Sequence, residues 1–235
     1  MSIGYGNTLN KVVGTIKLIE RVYFRGYNTS TQTFNFTRAP APGELIILSS
    51  WWDRSLTVNT PAGFTSIVSN EGGSEYPEGE TFYRIADGSE STSFSVTSSS
   101  ADDCAGVGLL FKSNVSISSV SIGNTVYLDG PSSLNSTIAA DSPAAVAYGS
   151  TRLKLYFLTG RQQAAYIQDP TPNFVNATGW IYENGNYGST NDTSGGDNMD
   201  WAYKILKQSV TDVSEQVTTN DTGRQGHHLL SITLS

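Results

Sequence analysis

The sequence has few of the residues from which covalent cross-links, metal sites and nucleophilic centres are built. Its 235 residues include a single cysteine, Cys104, and two histidines. One cysteine excludes an internal disulfide framework, and no cysteine and histidine spacing resembles a structural zinc site. We therefore expect no disulfide, no cofactor, and synthesis in a reducing compartment.

Long apolar runs and strong charge are also missing. The segment MSIGYGNTLNKVVGTIKL lacks the continuous apolar stretch of a signal peptide, and no uninterrupted apolar run is long enough to span a bilayer. We therefore expect neither Sec-type export nor a membrane association. Only 15% of the residues are charged, while Ser, Thr, Asn and Gly are abundant. This differs from the composition of disordered chains and of long helices, and it favours a folded, strand-rich protein.

Positive charge is concentrated in the first 40 residues, although the whole chain has a formal net charge of −7. This segment carries +4, whereas the remaining residues carry −11. A basic segment ahead of an acidic body indicates an acidic partner surface for the first part. A strand with an exposed polar face is the other interpretation. Nucleic acid is not an expected partner, because the body would repel phosphates. The candidate partner-binding residues are Lys11, Lys17, Arg21, Tyr23 and Arg25.

Apolar and polar residues alternate over short runs that are bounded by Gly, Pro, Asn and Ser, which is typical of β-strands. No segment of comparable length combines helical periodicity with helix caps. The first run, residues 16–25, predicts an amphipathic strand with a basic outer face. One face would carry Ile16, Leu18, Val22 and Phe24, and the other Lys17, Arg21, Tyr23 and Arg25.

One phrase of the sequence occurs twice, because ETFYRIADGSES at residues 80–91 returns in altered form as DWAYKILKQSVT at residues 200–211. The likeness extends to neighbouring segments, with offsets that drift because loops tolerate insertions. We expect two half-units of similar strand order, at about residues 39–113 and 143–235. The matching pairs are Tyr83 with Tyr203, Val96 with Val217, Phe64 with Trp180, and the LLFK that begins at Leu109 with the LLSI that begins at Leu229.

Two related halves of five or six short strands allow two tandem sandwiches or one jelly-roll whose halves interleave. A lone sheet of that size must cover its apolar face with another layer. We expect an all-β fold, a single two-sheet antiparallel sandwich of jelly-roll type, whose closure also limits exposed strand edges. Residues 1–38 would form a basic N-terminal arm and strand, and residues 39–235 the sandwich.

Residues that could carry catalysis are sparse. His227 and His228 are adjacent and would point to opposite faces of a strand, so we expect both at the surface or at strand ends. Glu78 and Glu80 could share a strand face as the carboxylate pair of a glycoside hydrolase. They flank a Gly- and Pro-containing loop, and a solvated acidic loop is the ordinary explanation. We expect a non-enzymatic protein, with a sandwich-fold glycoside hydrolase as an alternative.

One loop offers a weak candidate for calcium. The segment NDTSGGDNMD places three carboxylates around a Gly-Gly pair, and calcium prefers such oxygen ligands. The spacing does not match an EF-hand loop, so a polar surface loop is the ordinary explanation. The carboxylates are those of Asp192, Asp197 and Asp200.

Tryptophan residues are the candidates for carbohydrate binding by ring stacking. Trp51 and Trp52 are adjacent on a predicted strand, so one ring would be buried and the other exposed. Trp180 lies near a second loop-rich stretch. Because aromatic residues dominate sandwich cores and also anchor protein interfaces, a glycan ligand is an alternative to these roles.

Three motifs resemble a β-sandwich family found among the virion components of tailed bacteriophages. They are APAPGELIIL, TPAGFTSI and FYRIADGSESTSFSVT, in that order along residues 39–113, with faint echoes in DPTPNFVNATGWIY and WAYKIL. The resemblance implies a protein on the virion, made in the host cytoplasm, as a capsid decoration (cement) protein or a fibre component. It transfers no catalytic residue to this chain.

The residues and the resemblance together give one expected function and one principal rival. We expect a virion structural protein that docks on the major capsid protein, or another virion protein, through residues 1–38. Copies of the chain would also contact one another. The rival is a fibre-borne or tail-borne carbohydrate-binding module that recognises a host glycan through Trp51, Trp52 or Trp180.

Overall fold

A computed structural model of the chain contains only strands, turns and loops in the residues that it describes. These are residues 15–53, 56–69, 78–114, 117, 120–122, 126–131, 136–138, 150–160, 172–174, 179–183, 198–207, 215–219 and 224–234. The strands are β1 (Ile16–Asn35), β2 (Leu45–Trp52), β3 (Val58–Asn59), β4 (Thr65–Ser69), β5 (Glu78–Ile85), β6 (Ser93–Ser113), β7 (Val120–Ile122), β8 (Val126–Pro131), β9 (Ser136–Ile138), β10 (Thr151–Gly160), β11 (Pro172–Phe174), β12 (Trp180–Glu183), β13 (Asn198–Leu206), β14 (Glu215–Thr219) and β15 (Arg224–Leu234).

Two antiparallel sheets form the sandwich, so the predicted all-β, two-sheet architecture is confirmed. The N-terminal sheet has the order β1-β6-β2-β5-β4, with β3 beside β6. The C-terminal sheet has the order β12-β13-β10-β15-β7, with β8 beside β15, and a small third sheet has the order β11-β14-β9. Among the described strands none passes from one half into the other half's sheet. Each half of the chain therefore supplies one sheet, and the halves are stacked rather than interleaved.

The two sheets are joined by an apolar core, which we call the inter-sheet core. Leu45, Ile47 and Trp51 contribute to it from β2, and Leu155 and Trp201 contribute from the C-terminal sheet. All five are fully buried. Each sheet thus provides the apolar cover that a single five-stranded sheet lacks.

A second apolar core, the N-terminal core, lies on the opposite face of the N-terminal sheet. It exists because β1 folds back over its own sheet. Ten residues of straight strand span about 33 Å, yet the ring centroids of Phe24 and Phe34 are only 6.4 Å apart. The turn lies where the register to β6 is irregular, between Gly26 and Thr31, and Asn28 there has a φ of 47°. The last residues of β1 (31–35) and the first residues of β6 that pair with them (93–97) therefore cover the middle of β6.

The apolar face predicted for residues 16–25 is interrupted by a bulge. Between Leu18 and Glu20 the register to β6 slips by one residue, so Ile19 is the extra residue. A bulge of this kind reverses the alternation of side chains beyond it. The prediction of one continuous face is therefore wrong, and the four apolar residues divide between the cores: Ile16 and Leu18 in the inter-sheet core, Val22 and Phe24 in the N-terminal core.

The repeated phrase occupies the same place in both sheets. Tyr83 is paired with Ile47 on one side, and Tyr203 is paired with Leu155 at the corresponding place. Their other neighbours are Thr65 and Ile181. Each follows a glycine of positive φ, Gly63 or Gly179, by two residues. The register thus confirms the match of Tyr83 with Tyr203.

The match between LLFK and LLSI is shifted by one residue from the one that the sequence suggested. Leu109 pairs with Ile47, and the residue that pairs with Leu155 at the same place is Leu230, not Leu229. A shift of one residue moves a side chain to the opposite face of a sheet. Each segment contains two consecutive leucines, so the sequence alone could not show which leucine of one segment matches which leucine of the other.

The first half of the repeat also begins earlier than the sequence suggested. VYFRG in β1 (22–26) pairs with residues 104–108, and VYLDG in β8 (126–130) pairs with residues 225–229 in the same way. β1 is therefore the opening strand of the first half and an integral part of the sandwich.

Candidate functional site

The most distinctive surface of the N-terminal sheet lies on β1, which is the outermost of the strands that the structure describes in this sheet. Lys17, Ile19 and Arg21 are all exposed there. Ile19 is 39% exposed and Tyr27 is 48% exposed, which makes β1 the location of two of the three exposed large hydrophobic residues in the described part of the chain. We call Lys17, Ile19 and Arg21, together with Tyr27 further along the strand, the β1 surface. Because of the register shift at Ile19, Lys17 and Arg21 lie on opposite faces of β1.

The exposed charges of the β1 surface are those of Lys17 and Arg21, and contacts within the N-terminal half fix the side chains of its neighbours. The guanidinium carbon of Arg25 lies 5.2 Å from the centroid of the Tyr27 ring, a cation–π distance. Glu20 is engaged elsewhere, since it accepts hydrogen bonds from the backbone N–H of Thr37 (2.7 Å) and from the Thr37 hydroxyl (3.0 Å). The bulges in β1 also make pairing with another strand difficult along the edge that no described strand occupies.

The predicted partner-binding residues do not all lie on this surface. Lys17 and Arg21 are exposed, as a docking role requires. Tyr23 instead contacts the inter-sheet core, and its hydroxyl accepts a hydrogen bond of 2.9 Å from Trp201 Nε1. The basic outer face that the sequence predicted therefore includes a residue that joins the two sheets. Arg25 is half-buried beside Tyr27, and Lys11 lies outside the described residues.

The prediction that one ring of Trp51 and Trp52 is exposed is wrong. Both side chains are fully buried, one in each core, because β2 is a central strand with packed layers on both faces. Their indole nitrogens donate to Ser49 Oγ and to the Thr29 carbonyl, each at 3.0 Å. Neither ring can stack on a ligand at the surface. Of the three candidate tryptophans, only Trp180 is partly exposed.

A polar cluster lies inside the inter-sheet core, around His228. Its Nδ1 is 3.0 Å from the hydroxyl of Thr81, which also donates to Ser49 Oγ at 3.0 Å. The Trp51 ring lies 4.1 Å from the imidazole, centroid to centroid. The expectation that both histidines lie at the surface or at strand ends is therefore wrong for His228, which is fully buried. A row of hydrogen bonds here connects the two sheets.

The two carboxylates considered for glycoside hydrolysis are buried rather than solvated. Glu78 accepts a hydrogen bond of 2.8 Å from the backbone N–H of Leu56. Glu80 accepts one from the hydroxyl of Ser66. Burial raises the pKa of Glu80, and the Ser66 hydrogen bond opposes this only in part. The acidic-loop interpretation is thus wrong for these two residues, because both belong to β5 and face inward.

The motif residues of the first half form ion pairs around two turns. Arg38 Nη1 and Nη2 donate to the two oxygens of Glu44, each at 2.8 Å. Arg84 Nη2 lies 2.8 Å from Glu90 and 3.4 Å from Asp87. Glu90 also accepts the backbone N–H groups of Asp87 and Gly88. The charged residues of PGEL and YRIADGSE are therefore structural.

These ion pairs predict a loss of stability in acid. Burial raises the pKa of Glu44, but hydrogen bonds from Arg38 and Ala41 outweigh it, so the pKa lies below the ordinary 4.5. A lowered pKa stabilises the fold above 4.5 and ceases to do so as the pH falls through the folded value. Glu90 behaves in the same way. We expect the free energy of unfolding to fall below about pH 4.5.

Glu44→Gln tests that expectation. At pH 7 it should lower the free energy of unfolding by about 1–2 kcal/mol, a modest cost because the Arg38 side chain is partly exposed. It should also make the acid loss shallower than in the unmodified chain, as measured by urea unfolding between pH 7 and 3. An unchanged pH profile would show that the pair does not control acid stability.

The remaining predicted sites fall partly outside the described residues. Asp192 and Asp197 lie outside them, and the backbone of Asp200 belongs to β13. Within the described part of the chain, no group of three or more His, Cys, Asp or Glu side chains is placed to hold a metal ion. The same residues contain no helix of the length and apolarity that a bilayer crossing requires.

Comparison of the chain with protein-family models, with curated proteins and with solved structures found no match.

Proposed function

We propose that the protein is a non-enzymatic structural component of a tailed-phage virion that decorates or cements the capsid through the β1 surface. The observation that carries this proposal is the exposure of Lys17, Ile19 and Arg21 within five residues of β1, the outermost of the described strands of its sheet. Aromatic and arginine side chains are enriched at protein interfaces, and an apolar residue with a cationic rim fits an acidic partner.

The charge distribution of the chain also favours docking through β1. A chain of net charge −7 is repelled by an acidic shell unless its basic side turns toward it. The edge of β1 supplies that side, because Lys17 and Arg21 are both exposed there, on opposite faces of the strand, while Glu20 is bound to Thr37. The rest of the body would then face water.

The docking test requires point variants rather than a truncation. β1 pairs with β6 from Ile16 to Asn35, so removing its first half would uncover both cores. Ile19→Asp and a Lys17→Glu, Arg21→Glu double variant change exposed positions, where effects on stability are usually within about 0.5 kcal/mol.

We expect each variant to bind assembled particles at least tenfold more weakly than the unmodified chain, since an anchor residue contributes about 2 kcal/mol or more. Binding is measured by co-sedimentation with particles that lack the protein. Ile181→Asp is the matched control, because Ile181 is 46% exposed but lies on β12 of the other sheet. Equal binding by the β1 variants and the control would refute docking through β1.

For the rival function, a carbohydrate-binding module, one of the three candidate tryptophans remains. Trp51 and Trp52 are inside the cores, so only Trp180 can contact a sugar. A glycan site around Trp180 is compatible with decoration of a particle.

A further inference from the structure

Glu80 is a buried carboxylate that no positive charge of the described residues accompanies. It lies on the face of β5 that contacts the N-terminal core, because it pairs with Ser50 and Phe82, two residues further on, belongs to that core. Glu80 is only 7% exposed. Its carboxylate accepts a hydrogen bond from the Ser66 hydroxyl. A buried ionised carboxylate with so little compensation is costly, and protonation removes that cost.

The ionisable side chains around Glu80 do not supply the missing positive charge. Glu78, on the same face of β5, is a second buried carboxylate, and Cys104 of β6 belongs to the N-terminal core. Arg84, further along this face, is engaged in the ion pairs described above. The other segments that pack here, which are β2, β3, β4 and residues 31–35 of β1, contain no charged or titratable side chain. A second carboxylate nearby favours the protonated form of Glu80 further.

Two polar side chains beside Glu80 are fully buried and lack part of their hydrogen bonding. Ser50 is directly opposite Glu80 on β2, and its hydroxyl has no hydrogen-bond partner among the described residues. Gln32 Nε2 donates to the Trp51 carbonyl at 2.9 Å, but Gln32 Oε1 has no described partner. The Gln32 carboxamide occupies the space that a side chain at Gly106 would fill, and Gly106 is opposite Ser50 on β6. Glu80, Ser50 and Gln32 therefore follow one another across one buried face.

One proton on Glu80 is sufficient to complete the hydrogen bonds of this group. Directly opposite residues have Cβ atoms about 5 Å apart, a gap that a glutamate side chain can bridge. The O–H group of a neutral Glu80 can donate to Ser50 Oγ, and the Ser50 hydroxyl can then donate to Gln32 Oε1. An ionised Glu80 has no proton to donate. The single Ser50 hydroxyl then faces two acceptors, Glu80 and Gln32, and can satisfy only one of them.

We propose that Glu80 is a neutral carboxylic acid in the folded protein and forms a pH-sensitive latch with Ser50 and Gln32. Gln32 lies on the part of β1 that, with its partner segment of β6, covers the middle of β6. We call these two segments, residues 31–35 and 93–97, the cover. The protonated latch holds the cover against β2 and β5. Ionisation of Glu80 at higher pH breaks the chain of hydrogen bonds at Ser50 and loosens the cover. The inference does not depend on docking through β1.

The direction of the pKa shift agrees with the latch. Burial raises the pKa of Glu80 above the ordinary 4.5, and the hydrogen bond from Ser66 offsets this only in part. The folded chain therefore holds this proton more tightly than the unfolded chain does. The stability that the proton contributes is fully present below pH 4.5 and is lost as the pH rises through the folded value. Glu44 and Glu90, whose pKa values are lowered, contribute with the opposite sign.

Glu80→Gln tests the latch, because a carboxamide has the shape of the neutral acid and keeps a hydrogen-bond donor at every pH. We expect this variant to melt a few degrees above the unmodified chain at pH 8, and the difference to disappear toward pH 4. Glu44→Gln is the matched control from the same half of the chain. Because the pKa of Glu44 is lowered, its variant should melt below the unmodified chain at pH 8.

Hydrogen exchange and infrared spectroscopy follow the cover and the proton directly. At pH 8 the backbone amides of the cover should exchange about tenfold faster in the unmodified chain than in Glu80→Gln, whereas those of β10 should exchange equally in both. At pH 5, where exposed carboxyl groups are mostly ionised, the unmodified chain should show a carboxylic acid band that Glu80→Gln removes. Ser50→Ala removes the acceptor of the proton, so this band should titrate at a lower pH.

Four results would overturn the proposal. Melting of Glu80→Gln below the unmodified chain at pH 8 would show that the ionised carboxylate stabilises the fold. Absence of the acid band at pH 5 would show that Glu80 is ionised there. A melting temperature that rises with calcium or sodium at constant ionic strength, but only when Glu80 is present, would show a cation in place of the proton. Equal exchange of the cover amides in both chains would show that the proton does not control the cover.

Discussion

Trp51→Ala is expected to lower the free energy of unfolding by about 3–5 kcal/mol, the usual cost of removing a large buried aromatic side chain. Trp51 is fully buried in the inter-sheet core and lies against the imidazole of His228 from the opposite sheet. Its ring also occupies the space above Gly79 and Gly226, one glycine from each sheet, where any larger side chain would collide with it. Its removal therefore weakens the packing between the two halves.

The matched variant is Trp51→Phe, which keeps an aromatic ring but loses the hydrogen bond to Ser49. We expect a smaller loss of about 1–2 kcal/mol. Both values come from urea unfolding followed by far-ultraviolet circular dichroism, since the substitution alters fluorescence. A loss below about 1 kcal/mol for the alanine variant would contradict the view that Trp51 joins the sheets.

Arg84→Met is expected to lower the free energy of unfolding by about 2–3 kcal/mol. The Glu90 side chain is fully buried, and Arg84 is the cation within 2.8 Å of it. Removing one partner of a buried pair leaves the other charge uncompensated, although the two backbone N–H groups that Glu90 accepts moderate the cost. Arg84 also covers the Pro61–Phe64 turn at Gly63, whose φ is +78°.

Arg84→Lys is the control that retains the charge. The second half already has a lysine there, since Lys204 lies over Gly179 as Arg84 lies over Gly63. Arg84→Lys should therefore cost less than half of the loss that Arg84→Met produces in the same urea titration. Equal losses for the two variants would show that the ion pair does not stabilise this turn.

The sequence predicts different features of the fold to different degrees. Alternating apolar residues are sufficient to predict the strands and the two-sheet architecture. The repeated phrase predicts that Tyr83 and Tyr203 are equivalent, and the register of both sheets agrees. The role of Arg84 was not predicted, because an ion pair depends on where a turn places Glu90 in space.

The pattern of apolar and polar residues cannot predict features that depend on a single inserted residue. The bulge at Ile19 divides one apolar face between two cores, and no residue type signals it. The burial of Trp52 and His228 depends on layers that come from distant parts of the chain, and alternation cannot show which face acquires a second layer. The match of VYFRG with VYLDG was available in the sequence, and it identifies β1 as part of the repeat.

The candidate docking surface was predicted in part. Lys17 and Arg21 follow from the excess of positive charge in the first 40 residues, and both are exposed. Ile19 and Tyr27 did not follow, because exposure of an apolar residue is a property of the packed fold.

The measurement that tests the proposed function most directly is the composition of purified phage particles from an infected host. Mass spectrometry with isotope-labelled standard peptides gives the number of copies of this chain relative to the major capsid protein. The proposal predicts a fixed, stoichiometric ratio that falls when Ile19→Asp replaces the native chain. Absence of the chain from washed particles, or an amount that varies between preparations and is indifferent to Ile19, would contradict it.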